Sequence, residues 1–250
     1  MGIFSLSKKS LLGLILVAAL SSGNSYAAKI VLSFEGIGDL TPINDFYNGG
    51  ADGVRVGNSG IDYGVQFSND ADGIIDEDVS LNFSGLFANE PSASTALIFR
   101  EGGVATMNVE AGFESGFSFF YSSSADAVVN IYDGLDGTGN LLASLNLAVN
   151  FKNNNCQGDP GGGYCHWDSI GVKFYGKARS VVFEGPREFT FYDDITLGSP
   201  APNDCKKDFR GHRRDRHSSD NDDISMDDEI RSECKDSRRQ RRNRYSFRQN

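Results

Sequence analysis

The sequence predicts an all-β chain, an antiparallel β-sandwich followed by a disordered charged tail. Three observations carry that expectation. Residues 29–200 show almost no helical periodicity, only short runs in which apolar and polar residues alternate. Clusters of Gly, Asn, Asp and Ser, the residues that favour turns, separate those runs. Composition then breaks near Pro200: residues 29–200 hold 8 Lys and Arg against 23 Asp and Glu, a net of −15, whereas residues 201–250 hold 14 against 11, a net of +3. The 18 Phe and 9 Tyr supply the bulk of a sandwich core.

The chain opens with Lys8 and Lys9, an apolar run from Leu11 to Leu20, and small or polar residues to Ala28. This order is that of a Sec signal peptide, with Ser25 and Ala27 at the −3 and −1 positions, so residues 1–27 are expected to be removed. The apolar run is too short to span a bilayer comfortably. The expected product is secreted, with a sandwich domain over residues 28–200 and no membrane span in the mature form.

The first acidic run, SNDADGIIDEDVS, imitates a calcium loop. With Gly73 at the turn position, Asp70, Asp72 and Asp76 fall at ligand positions, but Val79 stands where a bidentate Glu belongs. A solvated acidic turn is therefore expected, with a weak calcium contact as the alternative.

The strands follow in order. In GFSFFYSS, Phe117, Phe119 and Tyr121 share a face. In AVVNIYDG, Val129 and Ile131 share one, Asp133-Gly134 ends the strand, and GLDGTGN forms a hairpin loop. LLASLNL resumes the alternation with Leu141 and Leu145. GVKFYG and SVVFEG turn Val172, Phe174, Val181 and Phe183 inward. Regular short strands with Gly-rich turns are the pattern of a sandwich.

Export bears on the four cysteines. Cys156 and Cys165 bracket CQGDPGGGYC, whose Gly and Pro let the chain double back, and a local disulfide is expected there. Cys205 and Cys234 are left for each other or for a second chain. The rival reading, a zinc site, finds only His166 nearby and no further ligand at zinc spacing.

In FTFYDDITL, Phe189, Phe191, Ile195 and Leu197 form an apolar face, with Thr190, Tyr192, Asp194 and Thr196 opposite. Asp193 then has the inward parity. A carboxylate on the core side must find a cation or backbone donors, because burying it bare costs several kcal/mol.

Residues 201–250 alternate basic and acidic blocks with almost no apolar residues and are expected to be disordered. The basic end from Arg238 to Arg248 resembles a nucleic-acid or anionic-lipid patch, but in an exported chain a solvated tail is expected, and no nucleic acid partner.

Chemistry is sparsely supported. Only 3 His occur, and His166 is the single one outside the tail. No G-x-S-x-G elbow accompanies it, and Cys165 is expected to be oxidised. Paired carboxylates are numerous but without distances say nothing. A non-catalytic protein is expected, with no catalytic residues assigned.

The stretches NDFYNGG, DYGVQFS, ATMNVEAGFESGFSFFYSS, VNIYDGLDGTGNLLASL, CHWDSIGVKFYGKARSVVF and FYDDITLGS resemble, in order and spacing, the secreted β-sandwich proteins of bacteria that carry PEP-CTERM sorting signals for exosortase. Those proteins end in V-P-E-P, an apolar helix and a basic cluster; here Pro200 leads into APNDCKKDF instead, so free secretion is expected rather than sorting. The resemblance implies an extracellular matrix or cell-surface protein associated with envelope or biofilm polysaccharide.

Phe34-Glu35-Gly36 near the start and Asp193-Asp194-Ile195-Thr196-Leu197 at the close also resemble the first and last strands of jelly-roll carbohydrate-binding modules. That resemblance implies a structural Ca²⁺ on Glu35, Asp193 and Asp194. It also implies the alternative function, a soluble calcium-stabilised carbohydrate-binding module. Its platform would be exposed aromatics, with Trp167 and Tyr164 the ligand-binding candidates beside Tyr47 and Tyr63; a Trp beside a disulfide is also a common core residue.

Overall fold

Alternation places one side chain in two on each face of a strand, so each short run can be closed on a core only by a second sheet. The computed structural model describes residues 29–50, 60–151, 156 and 162–202. The expected signal peptide, Cys205, Cys234 and the expected tail beyond residue 202 lie outside the described residues. Within them the chain forms β1 (Ile30–Leu32), β2 (Thr41–Pro42), β3 (Val65–Phe67), β4 (Ala71–Ile75), β5 (Thr95–Phe99) and β6 (Val104–Phe113). β7 (Phe117–Ser123), β8 (Ala127–Tyr132), β9 (Leu141–Leu147), β10 (Asp168–Val172), β11 (Ala178–Glu184) and β12 (Thr190–Leu197) follow. No described residue is helical.

The strands make two antiparallel sheets, the predicted sandwich. One runs β10-β7-β12-β5-β4-β2, with β1 also on β12; the other runs β3-β6-β11-β8-β9. Between them lies the main core, in which Phe117, Phe119, Tyr121, Val129, Ile131, Val181 and Phe183 all take the inward positions read from the sequence. Phe119, Phe183 and Tyr192 form a cluster of edge-to-face rings with centroids 5.2–6.4 Å apart. Such pairs add roughly 0.5–1.5 kcal/mol each beyond the area they bury.

The middle of the first sheet, β12, β5 and β4, is dry on both sides. Ile74, Phe87, Ala96, Ile98 and Phe191 form a second buried cluster on its outer face, with Leu40, Tyr164 and Trp167 packed against it. Phe87, Tyr164 and Trp167 reach this face from outside the strands, on segments that lie over the sheet.

This second core corrects the reading of β12. Tyr192, not Phe191, points into the main core, and Phe191 points into the outer one. Ile195 and Leu197 nevertheless face the main core, because the register of β12 on β7 slips between Asp193 and Thr196 and Asp194 takes a left-handed φ of +48°. One residue is absorbed at that bulge and the phase flips. Phe189 precedes the strand and is half exposed.

A bulge also explains Leu141. Ile131 pairs Ala143 and Tyr132 pairs Leu141, so Leu142 is the extra residue and Leu141 points to solvent. The acidic run is corrected too: Ala71–Ile75 is a strand rather than a solvated turn, and it is largely buried. Asp72 is buried on it, and Arg100 Nε donates to its Oδ2 at 2.8 Å.

Candidate functional site: a carboxylate box and an aromatic turn

The chain leaves β1 through Phe34, whose φ of +61° turns Glu35 back towards residues 92–95. That turn is pinned by the Phe34 amide donating to the Tyr47 hydroxyl at 2.7 Å. Glu35 Oε1 accepts from the amides of Ser94 at 2.7 Å and Thr95 at 2.9 Å, and Oε2 from the Ser94 hydroxyl at 3.3 Å. Asp193 approaches the same segment from the bulge of β12. Its Oδ2 accepts from the Ser92 amide, and its Oδ1 from the Ser92 hydroxyl and the Asp194 amide, each at 2.7 Å.

Asp193 is thus held by three neutral donors, two backbone amides and the Ser92 hydroxyl. Burial pushes its carboxyl up to about 7, against the pull of Ser92, and the like charge of Glu35 pushes the same way. Asp194 is fully buried beside it. The donor set is hard oxygen throughout, which suits Ca²⁺ chemically. Among the described residues, however, no three acidic, His or Cys side chains converge as a ready-made metal cage.

The remaining site candidates are packing residues. Tyr47 is buried in the main core, and Tyr63 stacks on it with centroids 6.2 Å apart. Tyr164 lies 4.5 Å from the Phe191 ring, with its hydroxyl 2.8 Å from Ser124 Oγ. Trp167 packs edge-on to Phe87, and its indole N–H donates to the Ala88 carbonyl at 3.1 Å. These four do not form an exposed row. Cys156 and Cys165 are joined in the expected disulfide, with Cα atoms 5.1 Å apart.

His166 Nε2 sits 2.7 Å from Asp168 Oδ1, and Asn150 Nδ2 donates to Asp168 Oδ2 at 3.0 Å. No described hydrogen bond joins His166 to a serine hydroxyl. Its Cys165 neighbour is disulfide-bonded. Through Asn150, Asp168 fastens the start of β10 to the segment after β9.

Among the described residues, the aromatic that is most exposed to solvent was not among the sequence candidates. Between β10 and β11 the chain crosses from one sheet to the other through Lys173-Phe174-Tyr175-Gly176-Lys177. Phe174 plugs the main core, edge-on to Phe113 at 5.7 Å. Tyr175, next to it, is 98% exposed. Gly176 supplies the left-handed φ of +93° that closes the turn. Lys173 and Lys177 flank the ring and are exposed, and the stem of Lys177 lies over Gly112, where a Cβ would come within 2.5 Å of it. The sequence signal for this turn was an aromatic bracketed by two of the few cations in an acidic domain.

No protein-family model and no curated protein matches this chain. Among solved structures, it is similar to a family 6 carbohydrate-binding module at 17% identity, over 41% of this chain and 72% of that one, with a TM-score of 0.28. It is also similar to TmCBM61 in complex with β-1,4-galactotriose at 14% identity, over 54% and 88%, with a TM-score of 0.32. A third is the K1 cleaved adhesin domain of Lys-gingipain from Porphyromonas gingivalis W83, at 11% identity over 68% and 96%, with a TM-score of 0.39.

Proposed function

We propose that this chain is an exported, non-catalytic carbohydrate-binding β-sandwich that contacts polysaccharide through the turn at Tyr175. One observation carries the reading: a fully exposed tyrosine ring stands on a turn whose neighbouring Phe174 is locked into the core. A large apolar ring held in water on a rigid base has no packing role, and its face suits the C–H face of a sugar, as aromatic rings do with apolar surfaces generally. Lys173 and Lys177, exposed on the same turn, add hydrogen-bond donors near the ring. Export is supported by the leader-like residues 1–27 and by a disulfide, a bond that persists in oxidising compartments.

Calcium belongs to the same proposal as a structural ion on Glu35, Asp193 and Asp194. What supports it is the buried Asp193 carboxyl lying close enough to the partly buried Glu35 to feel its charge, where a divalent cation would replace the proton that burial favours. Its chemistry there would be to neutralise charge and tie the entry strand to the exit strand.

The test is glycan-array binding of the full chain, in calcium and in EGTA, beside Tyr175→Ala. Binding that is lost in the variant is the expected result. No binding by the wild-type chain to any glycan would overturn the reading and leave a matrix role without sugar recognition.

A further inference from the structure

Residues 29–200 carry 23 acidic side chains against 8 basic ones, so a cation in this region finds carboxylates in excess. Three of the eight cations, Lys173, Lys177 and Arg179, fall within seven residues around Tyr175. Residues 169–183 contain no Asp or Glu at all. Arg179 is engaged by Glu110: its Nη2 donates to the Glu110 carboxylate at 2.7 Å and to the Glu110 carbonyl at 3.0 Å. The two lysines differ. Both are exposed, and no described carboxylate lies within ion-pair distance of either.

Lys177 is also placed. Its aliphatic stem lies over Gly112, whose φ of +73° and missing Cβ leave room for it. The turn therefore holds an exposed ring and two uncompensated positive charges on a base fixed by Phe174 in the core.

We infer that the polysaccharide met at Tyr175 is anionic, one whose sugars carry carboxylate or sulfate groups. The inference rests on the reading of this turn as the sugar contact and adds the charge of the ligand. An ammonium takes either group as a point charge, without the planar match on which a guanidinium relies. The rest of the molecule sharpens the choice. Residues 29–200 sum to −15 and the full chain to −10, so a polyanion is repelled over most of the sandwich. Screening at physiological salt confines each field to about 8 Å, which leaves the turn as a local point of attraction. A nucleic acid is a polyanion too, but it is held by a continuous track of phosphate contacts, and two lysines on an acidic domain do not make one.

The experiment measures binding of the full chain to polygalacturonate, dextran sulfate, neutral dextran and a single-stranded oligodeoxynucleotide, at low and at physiological salt. Beside wild type stand Tyr175→Ala, the pair Lys173→Gln with Lys177→Gln, and the pair Lys173→Arg with Lys177→Arg. The expected result is tighter binding of polygalacturonate or dextran sulfate than of dextran. The Gln pair should weaken that binding about tenfold and flatten its salt dependence, while the Arg pair keeps it. Tyr175→Ala should weaken it as well. Every variant carries the same residues 201–250, so any contribution from their arginines drops out of the comparison. Anionic binding that the Gln pair leaves unchanged would overturn the inference. So would dextran bound as tightly as the anionic glycans, or the oligonucleotide bound as tightly as either of them. A wild-type chain that binds no glycan would instead sink the reading of the turn itself, a failure separate from these.

Discussion

Ser92 grips Asp193 with both of its donors. Its amide reaches Oδ2 and its hydroxyl reaches Oδ1, each at 2.7 Å, across 101 residues of sequence. The same hydroxyl lies 3.1 Å from the Ser33 carbonyl, so one side chain links the chain's entry, its last strand and the segment before β5.

Asp193→Ala would leave the Ser92 and Asp194 amides buried without their acceptor. Each such group costs on the order of 1–3 kcal/mol. The expected loss is about 3 kcal/mol in urea unfolding, with Asp193→Asn losing less because one amide oxygen still accepts. Equal stability of wild type and the Ala variant would show that the grip contributes nothing.

The pH dependence follows from the direction of the Asp193 shift. Its folded value, raised to about 7, exceeds the ordinary 3.8, so the folded state binds the extra proton between those limits. The contribution is complete below about 3.8 and is lost as pH rises towards 7. In EGTA, wild type should therefore lose stability relative to Asp193→Asn over that window. Saturating calcium should abolish the difference in slope, because a bound cation holds the carboxylate ionised; a slope unmoved by calcium would remove the ion from the box.

Asn150 is a buried amide with three partners: Oδ1 accepts from the Ser123 amide at 2.7 Å, and Nδ2 donates to the Tyr121 carbonyl and to Asp168. Asn150→Ala should cost about 2–4 kcal/mol, and Asn150→Asp a similar amount through repulsion with Asp168. Chemical denaturation of the three proteins checks both.

Tyr175→Ala should leave stability within about 0.5 kcal/mol, the range of a surface substitution without a packing role. Phe174→Ala, one residue away, should cost about 3 kcal/mol by opening a cavity. Similar melting curves for the two variants would contradict the division of labour between plug and exposed ring.

The strands whose outer face meets water were legible by alternation: β8 and β11 placed Val129, Ile131, Val181 and Phe183 correctly. β12 was not, because all eight of its residues are buried and parity carries no information on a strand dry on both sides. The bulge at Asp194 then reversed the phase within one strand, a feature set by tertiary pairing rather than by local pattern. Asp193 was rightly singled out as a buried carboxylate, yet by a parity argument that pointed to the wrong side of the sheet. Tyr164 and Trp167 were platform candidates, and Trp167 was also read as a core residue beside the disulfide; both pack against the second core, so the core reading of Trp167 is the one the structure keeps. Tyr175 was overlooked although Val172 and Phe174 were read as inward, an alternation that already turned the tyrosine between Phe174 and Gly176 outward.

The two cores have walls in common. β4, β5 and β12 each send some side chains to the inner cluster and others to the outer: Ala71 against Ile74, Leu97 against Ile98, Tyr192 against Phe191. Neither cluster can loosen without moving a strand that lines the other. Although the fold contains two separate hydrophobic compartments, it should melt in a single transition, and damage such as Phe191→Ala on the outer side should be read out by fluorescence of tyrosines on the inner one.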